Sequence, residues 1–122
     1  MAALAGLLAA GCEPSAVPVG GRTVRIEASE YRLRPQNVTV RAGRVTFVVV
    51  NRGRLIHNLA VERIASDPDT TPPTLGRSSS LHPGQTSKPF TIDLPPGKYR
   101  LVCTIGNHDD LGEHGWLYVT KD

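Results

Sequence analysis

Residue types that bind metal ions crowd one stretch near the C-terminus: Cys103, His108, Glu113 and His114. The segments on either side, Lys98–Cys103 and Gly115–Thr120, alternate apolar and polar residues and read as strands. Two antiparallel neighbours need only about 2–5 residues to turn around. This connection is about twice that length, and its surplus is filled with ligand types. A thiolate closing one strand and an imidazole five positions later can converge on one ion. A third donor must then come from another segment, and His57 is the candidate already lying on a strand. The chemistry implied is the binding of a single metal ion by parts of the chain that are far apart in sequence.

Those donors need a frame, and the sequence describes one. Thr23–Ser29 alternates and reads as a first strand, with Tyr31–Pro35 as a short continuation ended by proline. Asn37–Arg41 is a second, and Ala42-Gly43 turns it into Arg44–Asn51. The run Val48-Val49-Val50 marks that strand as central and covered on both faces. After the turn Arg52-Gly53-Arg54, Ile56–Glu62 puts His57, Leu59 and Val61 on its apolar side. Residues 66–80 carry no strand or helix pattern and read as a surface loop. Leu81–Gln85 turns into Ser87–Leu94, where Pro89 marks an edge strand or its start. Pro95-Pro96-Gly97 then delivers the strand that ends at Cys103. His82 lies in the Pro-Gly turn outside the ligand order and is assigned to the surface. About seven strands separated by short turns, with no internal repeat, predict an all-β sandwich.

At 122 residues the chain has the length of one domain with a single core. Ten prolines and twelve glycines fall between the alternating runs, which again favours strands over helices. The net charge of +3 is mild and its Lys and Arg residues are scattered, so the basic stripe of a nucleic-acid binder is missing. No serine or cysteine nucleophile with a neighbouring base is evident, which speaks against hydrolysis. Residues 1–11 form an alanine- and leucine-rich run too short to span a bilayer but sized for the middle of a signal peptide. The ending Leu8-Ala-Ala-Gly-Cys12 resembles the lipobox of bacterial lipoproteins. It implies a signal peptide over 1–11, lipidation of Cys12, and an exported protein anchored to the membrane on its extracytoplasmic or periplasmic side. No Lys or Arg precedes the run, so a charged leader is expected upstream of Met1. Residues 12–21 then read as a flexible tether and 22–122 as the folded domain. With Cys12 lipidated, Cys103 is the one remaining thiol and a disulfide is ruled out.

The series Pro83-Gly84, Leu94-Pro95-Pro96-Gly97-Lys98-Tyr99, Cys103-Thr-Ile-Gly-Asn-His108, Gly112 and Gly115, with His57-Asn58 upstream, resembles the C-terminal half of a small cupredoxin of the plastocyanin and azurin type. The likeness runs over about residues 22–120. It implies a Greek-key β-sandwich, one type 1 copper ion at one end, and electron exchange with redox partner proteins by a monomer that is not an enzyme. His57, Cys103 and His108 match the family's ligand positions, and Asn58 matches the residue that braces the cysteine loop. The axial position departs from the pattern: methionine is expected there and Glu113 occupies it, with His114 one step later as the alternative. A carboxylate is a harder, anionic donor that favours Cu(II), lowers the reduction potential and pulls the site toward tetragonal geometry. Other readings stay open on these residues. Cysteine, two histidines and a glutamate also make a tetrahedral zinc site. Capture and delivery of copper, or a binding module without metal, are the remaining alternatives.

Overall fold

Period-two burial governs the strands of the computed structural model, which describes residues 14–121. Cys12 and the expected signal segment 1–11 lie outside the described residues. In chain order the strands are β1 (Val17–Pro18), β2 (Thr23–Ser29), β3 (Arg32–Arg34), β4 (Val38–Arg41) and β5 (Gly43–Asn51). They continue with β6 (Ala60–Arg63), β7 (Thr74–Arg77), β8 (Phe90–Leu94), β9 (Gly97–Val102) and β10 (His114–Thr120). No helix occurs among the described residues, as the proline and glycine spacing leads one to expect. The strands form a six-stranded sheet, β1-β4-β10-β9-β6-β7, and a four-stranded sheet, β3-β2-β5-β8. Only the connections β2–β3, β6–β7 and β9–β10 stay within one sheet, and the other six cross between them, so that the two sheets are woven into one sandwich.

Alternate residues of each strand fill the space between the sheets: Val24, Ile26 and Ala28 from β2, Val45, Phe47 and Val49 from β5, and Leu117 and Val119 from β10. Leu59, Val61, Leu101 and Leu33 close the same core. Burying each such side chain contributes about 1.5–3 kcal/mol, which is what fixes strand register. β5 is central as its valine run predicts, paired in parallel with β2 and antiparallel with β8.

Three expectations are corrected. The loop expected over 66–80 contains β7, an edge strand whose Leu75 packs on the core and which pairs with β6 across an irregular register. The strand expected over 56–62 begins later: β6 starts at Ala60, and His57 pairs only through an isolated bridge to Leu81. The tether expected over 12–21 is bound to the body from Pro14 onward. Val17–Pro18 runs parallel to β4, and Val19 packs against the core. The apolar alternation of Val17 and Val19 suits a sheet edge better than free chain. With β3 and these two short strands counted, ten described strands replace the expected seven or so.

Candidate metal centre

β9 and β10 run antiparallel, and His114↔Val102 is their last ladder pair. One step beyond it the Cys103 N–H donates to the Glu113 carbonyl at 3.1 Å, seating these two residues opposite each other at the sandwich end. The connecting loop folds back over them: the Glu113 N–H donates to the His108 carbonyl at 3.0 Å, and the His108 N–H to that of Ile105 at 3.1 Å. His57 arrives from the β5–β6 connection. Its backbone exchanges two hydrogen bonds with Leu81, at 2.8 and 3.2 Å. Asn51, buried at the end of β5, donates its amide to the carbonyls of Leu55 and Leu81 and accepts from the Gly53 N–H.

The four side chains meet at one place. Cys103, His57, His108 and Glu113 each offer a donor atom, and these atoms lie within 4.8 Å of one another. His57 Nδ1 stands 2.7 Å from Glu113 Oε1, His108 Nδ1 3.6 Å from the same oxygen, and Cys103 Sγ 3.7 Å from His108 Nδ1. His57, Cys103 and Glu113 are wholly buried, whereas His108 keeps 9% of its surface, so the cluster meets solvent through His108. Both nitrogens of His57 and both carboxylate oxygens of Glu113 lack a hydrogen-bond partner. The contact of 2.7 Å is therefore a convergence of donor atoms and not a hydrogen bond. Leaving such groups unmatched costs about 1–3 kcal/mol each, a deficit that a shared cation removes. Metal bonds of about 2.0 Å to nitrogen and 2.3 Å to sulfur place the two donors about 3.5 Å apart at a tetrahedral angle and about 3.7 Å apart at a trigonal one. The separations of 3.7 Å (Cys103–His108) and 3.6 Å (His108–Glu113) are of this size, while His57 and Glu113 at 2.7 Å stand closer than two ligands of one ion. The cluster fits a metal ion.

Burial sets the electrostatics. It pushes the Cys103 thiol up to about 11, against backbone hydrogen bonds from Asn58 and Ile105 that favour the thiolate. It pushes Glu113 up to about 8, opposed by its contact with Cys103 and assisted by the charge of Glu30. The His57 ring is held below the usual imidazole range, again chiefly by burial. Neutral acids beside a neutral imidazole are the protonated form of a ligand set.

Asn58 accepts the Thr104 N–H at 2.8 Å and donates to the Thr104 hydroxyl at 2.7 Å, tying the His57 segment to the residue after Cys103. His114 stays outside the cluster. β10 alternates, so Glu113, Gly115, Leu117 and Val119 point inward, while the half-buried His114 contacts the Asp109 carbonyl at 2.9 Å through Nδ1. His82 is exposed, and Asp109 lies 3.6 Å from Arg100. Sequence reasoning missed two residues at this end. Asn51 shapes the turn before His57, and the Glu30 carboxylate stands 3.6 Å from His57 Nε2. Burial alone would raise Glu30, but N–H groups of Arg54 and Leu55 on its carboxylate outweigh that and hold it below its ordinary range. Neither residue has a spacing signal, because β2 and β5 bring them in from a distance.

Residues 1–114 match the sequence model of the cupredoxin-like domain family. The chain belongs to this family. No curated protein matches it by sequence. Among solved structures this cupredoxin is similar to auracyanin from the photosynthetic bacterium Roseiflexus castenholzii, at 22% identity and a TM-score of 0.71 over 82% of this chain and 98% of that one. It is similar to auracyanin A, a blue copper protein from Chloroflexus aurantiacus, at 22% identity and a TM-score of 0.68, covering 85% and 100%. It is also similar to rusticyanin from Thiobacillus ferrooxidans, at 19% identity and a TM-score of 0.63, covering 86% and 82%. These likenesses agree with the two-sheet cupredoxin fold.

Proposed function

We propose that this cupredoxin is a one-electron carrier with a single copper ion held by His57, Cys103 and His108 and, as fourth donor, Glu113. The observation that carries the reading is the convergence of one sulfur, two Nδ1 atoms and a carboxylate oxygen, with His57 and Glu113 otherwise unpartnered. Bound copper supplies the Cu(II)/Cu(I) couple. Cys103 gives the thiolate, softened by the N–H groups of Asn58 and Ile105. His57 and Glu113 close the inner side against water, and their burial argues for a fixed cage over the exchangeable ligands that copper delivery needs. Electrons pass through the His108 edge. Tyr31 packs its exposed ring against His108 at 5.1 Å, and exposed Leu55, Ile56 and Leu111 lie in the segments that carry His57 and His108, apolar surface suited to a redox partner. With three of the four donor residues fully buried, the site leaves a substrate no approach, which supports a carrier over an enzyme. The lipobox-like ending at Cys12 supports export and attachment to the outer face of the membrane.

The test is the absorption spectrum of the copper-loaded full chain. An intense visible thiolate-to-Cu(II) band is expected, and Cys103→Ser abolishes it while leaving the fold intact. A protein that takes up zinc, or nothing, in the presence of copper and shows no such band overturns the proposal.

A further inference from the structure

On the side of His57 facing away from the cluster stands Glu30, just past the end of β2. Three observations define the pair. His57 Nε2 is fully buried and has no hydrogen-bond partner, and the Glu30 Oε2 atom lies 3.6 Å away. The other carboxylate oxygen, Oε1, accepts the N–H groups of Arg54 and Leu55 at 2.5 and 2.6 Å, so the carboxylate cannot swing away and presents Oε2 to the ring. Gly53 makes the approach possible. A Cβ on that residue would sit 2.2 Å from Glu30 Oε2 and 2.8 Å from His57 Nε2, inside both groups.

A neutral imidazole that offers Nδ1 as a lone pair carries its proton on Nε2, and a buried N–H requires an acceptor. We infer that Glu30 is the positioning residue of His57, an inference that rests on the copper reading above. It accepts the Nε2–H, fixes the tautomer that turns Nδ1 to the metal, and adds a second carboxylate charge behind the ligand. A hydrogen bond of about 2.7–3.2 Å is reached when ring and carboxylate close by roughly half an ångström. A carboxylate behind a ligating histidine raises the basicity of the ring and so favours the more highly charged metal. Glu30 and Glu113 then act in the same direction, one through His57 and one directly. Gly53 is part of the device, because any side chain there displaces the carboxylate.

The experiment compares the full chain with Glu30→Gln and Gly53→Ala, each checked for folding by its amide NMR spectrum. The histidine ring resonances of the diamagnetic Cu(I) form and of the metal-free form are followed, together with the reduction potential. In the wild type a slowly exchanging, downfield Nε2–H of His57 is expected. Both variants shift it upfield and speed its exchange. Affinity for Cu(II) falls about tenfold, at the low end of what loss of an outer partner costs, while that for the less charged Cu(I) is little changed. For a one-electron couple that is a rise of about 59 mV. An unchanged Nε2–H resonance and an unchanged potential in both variants overturn the role of Glu30. A wild type that binds no copper sinks the copper reading instead. The ring spectrum of the metal-free protein still decides whether Glu30 holds the Nε2 proton, since that readout needs no metal.

Discussion

Glu113 and Cys103, two of the proposed ligands, are acids whose burial favours the protonated form. Because their protons must leave as copper enters, about two protons are released per ion near pH 7, and copper affinity rises with pH. Calorimetry in buffers of different ionisation enthalpy reads this number. The metal-free protein follows the opposite sign. Glu113 titrates at about 8 when folded against an ordinary 4.5, so its stabilising contribution is complete below pH 4.5 and is lost as pH rises through 8. Thermal unfolding of the metal-free chain should therefore weaken from pH 5 to pH 8, and Glu113→Gln should flatten that slope. In the copper-loaded protein Glu113→Met raises the potential and shifts the spectrum toward an ordinary blue site, with Glu113→Gln between. His114→Ala leaves both unchanged, since its ring contacts the Asp109 carbonyl outside the cluster. Unchanged potentials in the Glu113 variants would remove it as a ligand. The cluster was legible to this point because Cys103, His108 and Glu113 share one loop and His57 sits opposite it. Glu30 was not legible: it lies 27 residues before His57, and only the parallel pairing of β2 with β5 brings it near.

The loop between β9 and β10 depends on braces from other elements. Asn58 makes both hydrogen bonds to Thr104, so Asn58→Ala hands the N–H of this exposed residue to water at a cost of about 0.5–1.5 kcal/mol. A lower melting temperature and faster hydrogen exchange at Thr104 are the expected readouts, and an unchanged exchange rate would deny the brace. Gly115 permits the close passage of β10 by the segment before β4, where an added Cβ would lie 1.7 Å from the Gln36 carbonyl oxygen. Gly115→Ala must move backbone, and overpacking of this kind costs about 1–3 kcal/mol or more. Denaturant unfolding measures the difference, and loss below half a kcal/mol would show that the strand yields freely. The long strands were readable because each exposes one face to the core. β7 was hidden because Thr74–Arg77 follows a proline-rich stretch and pairs only at the sheet edge, against β6. The parity of β10 was readable in principle: Leu117 and Val119 face inward, and the same alternation carries Glu113 inward and His114 outward.

At the scale of the whole molecule, the entry point of the chain bears on how the protein sits in its surroundings. The Pro14 carbonyl accepts the Asn37 side-chain amide at 2.7 Å, and Asn37 Oδ1 accepts the Trp116 N–H at 3.0 Å, near the start of the strand that follows Glu113. The described chain thus begins at the metal end of the sandwich. Two peptide units from Cys12 to Pro14 span at most about 7 Å. A lipid on Cys12 would therefore hold the metal end close to the bilayer, and two acyl chains suffice for stable attachment. Mass spectrometry of membrane-extracted protein is expected to show a diacylglyceryl group on Cys12 and loss of residues 1–11. Cys12→Ala moves the protein to the soluble fraction with its visible spectrum unchanged. Reduction kinetics then read the orientation. A small soluble reductant should act on both forms alike, whereas a bulky soluble redox protein should reduce the released Cys12→Ala form several-fold faster, because the bilayer screens the His108 edge of the anchored one. Equal rates with the bulky donor would mean that the metal end faces away from the membrane.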